Sequence, residues 1–464
     1  AGGDRYRSIA AAACRGAHRG TDPGYQSHRR RRGHRAFHQR TRYRHGRVGE
    51  PDRPRRTARR RTGIRRRRHP VARLCQPPAH VLVTGHPPTH LITADTELVA
   101  AAAHWRRCAA VTLDTEFMRT DTFYPRLALV QVSDGDTAWL IDPVALGDLS
   151  PLGQLLSDPN VIKVLHSCSE DLEVLQLALG CRPAPLYDTQ VAAAMVGHGF
   201  SLGYSALVKR LLDVEIGKQE TRSDWLQRPL SAAQLAYAAA DVHYLFPVYR
   251  QLVEAGARLG RADWIAAEMA AILAQAAQET PPEQQYRRVK GAGRLAPRDL
   301  AALRELAAWR EGEARRRDRP RGHVVNDVEL LALVQARPVD RTALARIGDL
   351  RPRTARDYGP ELLAALARAA AVPAADFPEP LEGEPLSRTA RDLVRACRDW
   401  LAERAGEFGI APEMLVRRTD LEQLARSWSG GTPQLPAVLA VGWRRAMVGA
   451  QLLDFVRAWS APTP

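Results

Sequence analysis

Strand-like signals are confined to the middle of this 464-residue chain. Between about residues 85 and 275, four short apolar runs alternate with helical stretches. The runs are AVTLDTEF (110–117), LALVQVSD (127–134), TAWLIDP (137–143) and VIKVLHS (161–167). Such alternation predicts an α/β layer fold, whereas the helical periodicity that prevails after about residue 290 predicts helices alone. We therefore expect a mixed central sheet flanked by helices, followed by all-α domains.

The helical part divides into two segments of similar length, separated by a stretch rich in proline and acidic residues. Each segment has a tryptophan late in its first helix, Trp309 and Trp400. A feature repeated at this spacing predicts a duplicated small domain. The expected organisation is an α/β domain at 86–280, a helical domain at 293–370, a linker at 371–386 and a second helical domain at 387–462.

The net charge of +17 comes from the first 80 residues, which hold 24 arginines, no lysine and four acids. The rest of the chain is slightly acidic, so the overall charge does not indicate a core that binds nucleic acid. Residues 1–85 show no sustained apolar period, and we expect a disordered Arg-rich tail. It is either an arm that contacts phosphates or translated sequence upstream of the natural start, and we favour the second. A transit peptide is a third interpretation, which the scarcity of serine disfavours.

Cysteine usage and hydropathy indicate the compartment. The six cysteines include no CxxC pair, which argues against a disulfide framework and against a structural zinc site. The longest uncharged stretch, about residues 189–208, is interrupted by Gln190, His198 and three glycines, so it is not a membrane span. We expect a cytoplasmic protein with no membrane contact.

Acidic residues in three separate places predict a metal site. Asp114 and Glu116 are one residue apart in a predicted strand, so their side chains point to the same face. Asp171 begins the helix after VIKVLHS, and Tyr237 shares a helix face with Asp241 four residues later. Converging carboxylates suit two Mg²⁺ or Mn²⁺ ions, which would activate water for phosphodiester hydrolysis. For the first pair alone, the alternative is a strand that ends in a solvated turn.

The order and spacing of these five residues resemble the three motifs of the DEDD 3′→5′ exonuclease superfamily. Residue 236, where the His-type branch has histidine, is alanine, and Tyr237 matches the Tyr-type branch. Over about 190 residues the chain is similar to the ribonuclease D family, in stretches such as LDTEFMRTDTFYPRLALVQVSD and KVLHSCSEDLEVL. LRELAAWREGEARRRDRPRGHVVNDVELLALV resembles an HRDC domain, and the C-terminal block resembles the family's second, more divergent HRDC-like domain. The resemblance implies a ribonuclease H-like exonuclease domain followed by two HRDC-type domains.

The resemblance also implies roles and a reaction. Asp114, Glu116 and Asp241 would hold the ion that binds the attacking water, Asp114 and Asp171 would hold a second ion, and Tyr237 would orient the water. The implied activity is 3′→5′ exonucleolytic hydrolysis of RNA to nucleoside monophosphates, with tRNA precursors as the expected substrates and partners. A DNA exonuclease of the Werner type and a non-catalytic RNA-binding scaffold are the alternatives. The scaffold is disfavoured because it has no use for acids that repel one another.

Several other side chains are candidates for contact with the substrate. Phe117 and Met118 either stack on the terminal base or pack in the core. The resemblance marks the SDW triplet at 223–225 with Arg228 as a family feature, which either touches the substrate backbone or, in the case of Trp225, packs in the core. A basic cluster in the first HRDC-like domain either contacts phosphates or lies on a solvated helix face; it comprises Arg315, Arg316 and Arg317.

Two further features have ordinary structural explanations. His166 stands two residues before Cys168, but no third group indicates a Cys–His nucleophile, so a packed histidine is favoured. Asp188 either supports the acidic site from behind or caps the helix that begins near Gln190.

Overall fold

The structure, a computed structural model, describes residues 88–217, 223–381, 386–429 and 431–459. The predicted Arg-rich tail at 1–85 lies outside the described residues. Among the helices of the described segments, none is both long enough and apolar enough to cross a bilayer.

A mixed sheet forms the centre of the first domain. Its strands are β1 (Thr89–Ile92), β2 (Ala110–Met118), β3 (Arg126–Ser133), β4 (Ala138–Ile141), β5 (Ile162–Leu165) and β6 (Leu186–Asp188). Their order is β1-β4-β3-β2-β5-β6, and within the described residues β3 alone runs antiparallel to its neighbours. The predicted mixed sheet is confirmed, and all four apolar runs are strands. The edge strands β1 and β6 were not predicted, because runs of four and three residues carry no readable alternation.

Helices cover both faces of the sheet. They are α1 (Asp95–Trp105), α2 (Ser150–Ser157), α3 (Ser169–Leu179), α4 (Thr189–Met195), α5 (Tyr204–Leu212), α6 (Ala232–His243), α7 (Leu245–Arg258) and α8 (Ala262–Ala276). α3 ends at Gly180, whose φ of 72° is the left-handed conformation that glycine adopts without strain. α6 begins with a capping box, in which the Ser231 hydroxyl accepts from the Gln234 amide and the Gln234 side chain accepts from the Ser231 amide. α6 packs across β2, β3 and β4.

The rest of the described chain is helical, as predicted. The first group is α9 (Pro297–Arg317), α10 (Arg321–Val324), α11 (Asp327–Ala336), α12 (Arg341–Ala345) and α13 (Pro352–Ala370). The second is α14 (Arg388–Phe408), α15 (Arg418–Ser429), α16 (Ala437–Ala440), α17 (Gly442–Arg444), a π-helical turn at Arg445–Gly449, and α18 (Ala450–Ala458). The apolar core of the sheet continues into the second group, whereas the first group has a core of its own.

One helix boundary differs from the sequence pattern. The run PELLAALARAAA suggests a helix that starts at Pro360, since proline is favoured in the first turn, but α13 starts at Pro352 and contains Pro360. Buried contacts explain the earlier start. Thr354 donates a hydrogen bond to Glu329, and the Tyr358 ring packs edge-on against Trp309. These tertiary contacts keep the turns before Pro360 helical.

The β2–β3 loop joins the sheet to the first helical group. Phe123 in this loop is buried in the core of that group, and Asp318 at the end of α9 accepts hydrogen bonds of 3.0 Å from the amides of Phe123 and Tyr124. The guanidinium groups of Arg315 and Arg321 lie 5.4 and 4.6 Å from the centre of the Phe123 ring. The strand that carries Asp114 and Glu116 therefore runs directly into a loop held by the helical domain.

The second helical group contacts the sheet domain through α8. Arg444 donates to both oxygens of Glu268 at 2.6 and 2.9 Å, and Trp443 stacks on Trp264 with ring centres 5.0 Å apart. A bidentate ion pair together with stacked rings fixes both the distance and the orientation of the two surfaces.

Candidate active site

Three of the predicted acids meet between β2 and α6. Asp114 and Glu116 project from the same face of β2, and Asp241 projects from α6, which packs on that face. One carboxylate oxygen from each lies within 4.8 Å of the others. The Thr112 hydroxyl donates to the carbonyl of Val242 at 2.8 Å and thereby fixes the strand against the helix beside the acids. A β-bulge follows Glu116, which is common where a strand carries a functional site.

Asp171 approaches from the other face of the strand. It is buried in the first turn of α3 and accepts a hydrogen bond of 2.5 Å from the Thr115 hydroxyl. Thr115 alternates with Asp114 and Glu116, so it points away from them. Asp171 is therefore not one of the three acids at mutual ligand distance, although its charge still raises the pKa of Asp114. The structure brings three of the four predicted acids together and places the fourth beside them.

Tyr237 and Asp241 are partners on one helix face, as their spacing predicts. The phenol of Tyr237 forms a side-chain hydrogen bond with Asp241, and its ring lies 6.1 Å from the ring of the buried Trp225. Both residues line a cleft of about 420 Å³ that also includes Asp114, His166 and Tyr204. The cleft gives a ligand access to the acids and to the phenol.

Burial and close packing of the acids raise their pKa values. Burial, followed by the charges of Asp171, Asp241 and Glu116, raises the pKa of Asp114 well above its usual range. Burial and the neighbouring acids raise the pKa of Glu116 to about 8, and burial raises the pKa of Asp241 to about 7 and of Asp171 to about 6. In the described part of the chain none of the four forms an ion pair with a basic side chain. An all-oxygen donor set of this kind fits a hard divalent cation.

The environment of Tyr237 favours the neutral phenol. Burial and the charges of Asp241, Glu116 and Asp114 raise its pKa above the ordinary value. The hydroxyl therefore keeps its proton and acts as a hydrogen-bond donor, not as a base.

The residues predicted to contact the substrate differ in how far they are already engaged in contacts within the protein. Met118 packs against the cluster around Trp225, and Phe117 is partly exposed at the end of β2. Arg228 uses all five of its N–H donors within the protein, on both oxygens of Asp142 and on three backbone carbonyls. No donor is left for a phosphate in this arrangement, so a substrate contact by Arg228 remains a prediction that the geometry disfavours.

The basic cluster of α9 is engaged in ion pairs. Arg315 pairs with Glu311, and both Arg316 and Arg317 pair with Glu313. The Arg316 side chain remains 65% exposed, so it is the member most open to a phosphate. Contact of this cluster with RNA remains a prediction.

His166, Cys168 and Asp188 have structural explanations. Asp188 caps α4 by accepting from the amides of Gln190 and Val191 at 2.8 and 3.2 Å, and it also accepts from the amide of Cys168 at 2.9 Å. Cys168 is buried, and burial with the nearby Asp188 charge raises its pKa, which excludes a reactive thiolate. His166 lines the cleft, with Nδ1 2.9 Å from the Thr189 hydroxyl.

The sequence pattern missed three residues near the acids. Thr115 orients Asp171, the Tyr204 hydroxyl donates to the carbonyl of Ala240 at 2.9 Å, and Gln131 lies opposite Asp114 on β3. Gln131 had a readable signal, because it is an amide inside the apolar run LALVQVS. Thr115 and Tyr204 had none, since threonine is common in strands and tyrosine is common beside glycine turns.

Comparison with known protein families identifies two domains of the chain. Residues 89–256 match the model of a family described as 3′-5′ exonuclease, and residues 299–366 match the model of the HRDC domain. The first match contains all four acids and Tyr237. The outer limits of the domains, and the HRDC-like character of the second helical group, stay predictions.

Full-length relatives agree with these matches. Over 371 residues the chain is 46% identical to ribonuclease D of Pseudomonas paraeruginosa, covering 79% of this chain and 97% of that protein. It is 40% identical over 373 residues to ribonuclease D of Acidiphilium cryptum, covering 79% and 93%. The crystal structure of Escherichia coli RNase D, an exoribonuclease involved in structured RNA processing, aligns with a TM-score of 0.72 at 34% identity, covering 80% of this chain and 99% of that one.

Proposed function

The chain belongs to the ribonuclease D family and is a 3′→5′ exoribonuclease, and from this premise we propose that it is a divalent-metal-dependent enzyme that trims structured RNA precursors such as those of tRNA. In this proposal it acts in the cytoplasm and releases nucleoside monophosphates. The observation that carries the proposal is the convergence of Asp114, Glu116 and Asp241 beside Tyr237, with no ion pair to a basic side chain of the described residues.

The acids divide into two sets of proposed ligands. Asp114, Glu116 and Asp241 would hold one Mg²⁺ or Mn²⁺ ion, since their oxygens already lie within 4.8 Å of one another. Asp114 and Asp171 would hold a second ion. The Thr115 hydroxyl binds one oxygen of Asp171 and leaves the other oxygen available. When bound, such ions supply an activated water and stabilise the leaving oxygen of the phosphodiester.

Tyr237 is proposed to position the attacking water. Its side chain is fixed on α6, and its hydroxyl remains protonated beside Asp241. Because its one proton is donated to Asp241, the phenol oxygen can accept from a water and hold it in the orientation that attack requires, and this positioning reduces the entropy lost in reaching the transition state. The ring also packs near Trp225, which restricts its rotation.

A cleavage assay with matched substrates tests the proposal. RNA and DNA oligonucleotides of one sequence, labelled at the 3′ nucleotide, are incubated with Mg²⁺, Mn²⁺ or EDTA. We expect labelled mononucleotide from RNA with either metal and none with EDTA. Asp114→Asn should abolish cleavage, whereas Asp263→Asn, an exposed acid on α8, should retain it.

Each alternative has its own signature in this assay. Cleavage of DNA at a rate equal to or above that of RNA would favour the Werner-type function, and binding of RNA without cleavage would favour the scaffold. Activity that survives EDTA, or Asp114→Asn that remains active, would refute the metal site.

A precursor tRNA with a 3′ extension tests the substrate class: we expect trimming that stops near the end of the folded acceptor stem, and failure to shorten the extension would contradict the proposal.

A further inference from the structure

Gln131 is a buried amide with no polar partner. It lies in the middle of β3 with no exposed surface, and neither its Oε1 nor its Nε2 forms a hydrogen bond in the described structure. An unsatisfied amide in such a place destabilises the fold, because its hydrogen bonds to water are lost and not replaced. The residue sits at a central position of the sheet where an apolar side chain would pack without this cost.

Gln131 has an apolar neighbour on one side of its strand and an acid on the other. Its register partner on β4 is Leu140, which clusters with Leu129 and with Ala238 of α6 above them. Its register partner on β2 is Asp114. Residues directly opposite each other on antiparallel strands point to the same face, with Cβ atoms about 4.5–5.5 Å apart. The amide therefore lies within side-chain reach of the Asp114 carboxylate.

The two hydroxyls of neighbouring strand residues on this face already have partners. The Thr112 hydroxyl donates to Val242, and the Ser133 hydroxyl accepts from the amide of Gly135. Asp114, by contrast, accepts one backbone hydrogen bond at Thr115 and has further lone pairs available. It is the register partner of Gln131 and can accept from the amide.

We infer that Gln131 is a positioning residue of the metal site, which donates its side-chain N–H to the Asp114 carboxylate when a divalent cation is bound. The inference rests on the proposed metal-dependent function. Carboxylates that bind metals are themselves held by hydrogen bonds from groups behind them, and loss of such a partner typically lowers metal affinity or activity 10–100-fold. Gln131 does not touch the substrate in this role. It fixes the rotamer of Asp114, the acid proposed to serve both ions.

Gln131→Met tests the inference without RNA. Methionine matches the length of glutamine and removes both polar atoms, so the metal-free protein should melt at the same temperature or higher. The melting temperature is then followed against Mn²⁺ concentration, because a cation that binds only the folded state raises it once the concentration exceeds the dissociation constant. We expect the onset of this rise to move to about 10–100-fold higher Mn²⁺.

Thr354→Val is the matched control. It removes a buried hydroxyl that donates to Glu329 in the first helical group, away from the acids. We expect a lower melting temperature without metal and an unchanged Mn²⁺ onset, which is the reverse of the pattern for Gln131→Met. Gln131→Leu, matching the neighbouring leucines, replaces the methionine variant if that one does not fold.

The outcomes separate this inference from the proposed function. If the wild-type protein shows no rise with Mn²⁺, the metal site itself fails. If the wild type responds and the response of Gln131→Met begins at the same Mn²⁺ concentration, the inference about Gln131 is refuted while the metal site stands. A lower metal-free melting temperature of Gln131→Met with an unchanged onset also refutes it, because the amide would then be structural.

Discussion

Replacing Glu116 by glutamine should stabilise the metal-free protein, by an amount that depends on pH. Burial and the charges of Asp241 and Asp171 raise the pKa of Glu116 from 4.5 to about 8. Folding near neutral pH therefore requires the carboxyl to take up a proton that it lacks in the unfolded chain. Below about pH 4.5 both states hold the proton and nothing is lost. From there to about pH 8 the free energy of unfolding of the wild type falls, and above pH 8 the loss is complete.

The magnitude follows from the two pKa values. At pH 7 the group lies 2.5 units above its unfolded pKa of 4.5, which at about 1.4 kcal/mol per unit gives roughly 3 kcal/mol as an upper value. Because Glu116 is partly exposed, water screens part of this, and we expect about 1–3 kcal/mol. Glutamine has the same shape and does not titrate, so Glu116→Gln should regain this amount, or roughly 2–10 °C in melting temperature.

Thermal unfolding in EDTA at pH 4.5, 6, 7 and 8 measures the effect. The difference between Glu116→Gln and the wild type should be absent at pH 4.5 and should grow up to pH 8. Glu254→Gln, an exposed acid on α7, should show no difference at any pH. Adding Mn²⁺ at pH 7 should reduce or reverse the gap, since the wild type keeps all of its proposed ligands. A gap that does not change with pH, or a wild type more stable than the variant in EDTA at pH 7, would refute the reasoning.

Three further predictions concern the catalytic phenol, the loop and the tail. Tyr237→Phe should lower turnover roughly 10²–10⁴-fold with an unchanged dissociation constant for RNA; a weaker constant at unchanged turnover would make Tyr237 a substrate contact. Asp318→Ala leaves two loop amides without their acceptor and should cost roughly 1–3 kcal/mol by denaturant unfolding, with protease cleavage in the β2–β3 loop as an independent readout. Deleting residues 1–80 should leave precursor trimming at physiological salt unchanged, whereas lost trimming and a shallower salt dependence would identify an RNA-binding arm.

Local periodicity predicted the parts of the site that lie within one element. Asp114 and Glu116 share a face because a strand repeats every two residues, and Tyr237 meets Asp241 because a helix brings residues four apart together. Both arrangements appear in the structure. The distance between the two pairs could not be read in the same way, because it depends on how α6 crosses β2.

The contacts of Asp171 and Arg228 join elements that are far apart in the sequence, so local patterns do not predict them. The sequence places Asp171 at a helix start, as observed, but its contact with the Thr115 hydroxyl depends on α3 packing behind β2. Arg228 looks like a phosphate contact from its neighbourhood in sequence. Its partner Asp142 is 86 residues earlier in the chain, at the end of β4, and only the folded sheet brings the two together. Contacts made between elements decide which polar groups remain free, and no sequence period reports them.

Buried acids elsewhere in the described chain show what the candidate site lacks. Burial alone would raise the pKa of Glu311 and of Glu329, but hydrogen bonds from arginines outweigh it and lower the pKa of both. Asp142 is likewise held by Arg228. The fold therefore has the means to compensate a buried carboxylate and uses them repeatedly.

The acids of the candidate site differ from Glu311, Glu329 and Asp142, which are held by arginines. Several acids share one region without an ion pair to any guanidinium of the described segments, and an unpaired amide, Gln131, lies directly opposite one of them. These groups stand on a central strand and on a helix whose start is fixed by a capping box, so they cannot move apart to relieve their repulsion. A rigid cluster of uncompensated acids is unfavourable in the empty protein and becomes favourable when a divalent cation binds. Glu116→Gln should remove part of this repulsion and thereby stabilise the metal-free protein. The same repulsion would give the site its affinity for metal.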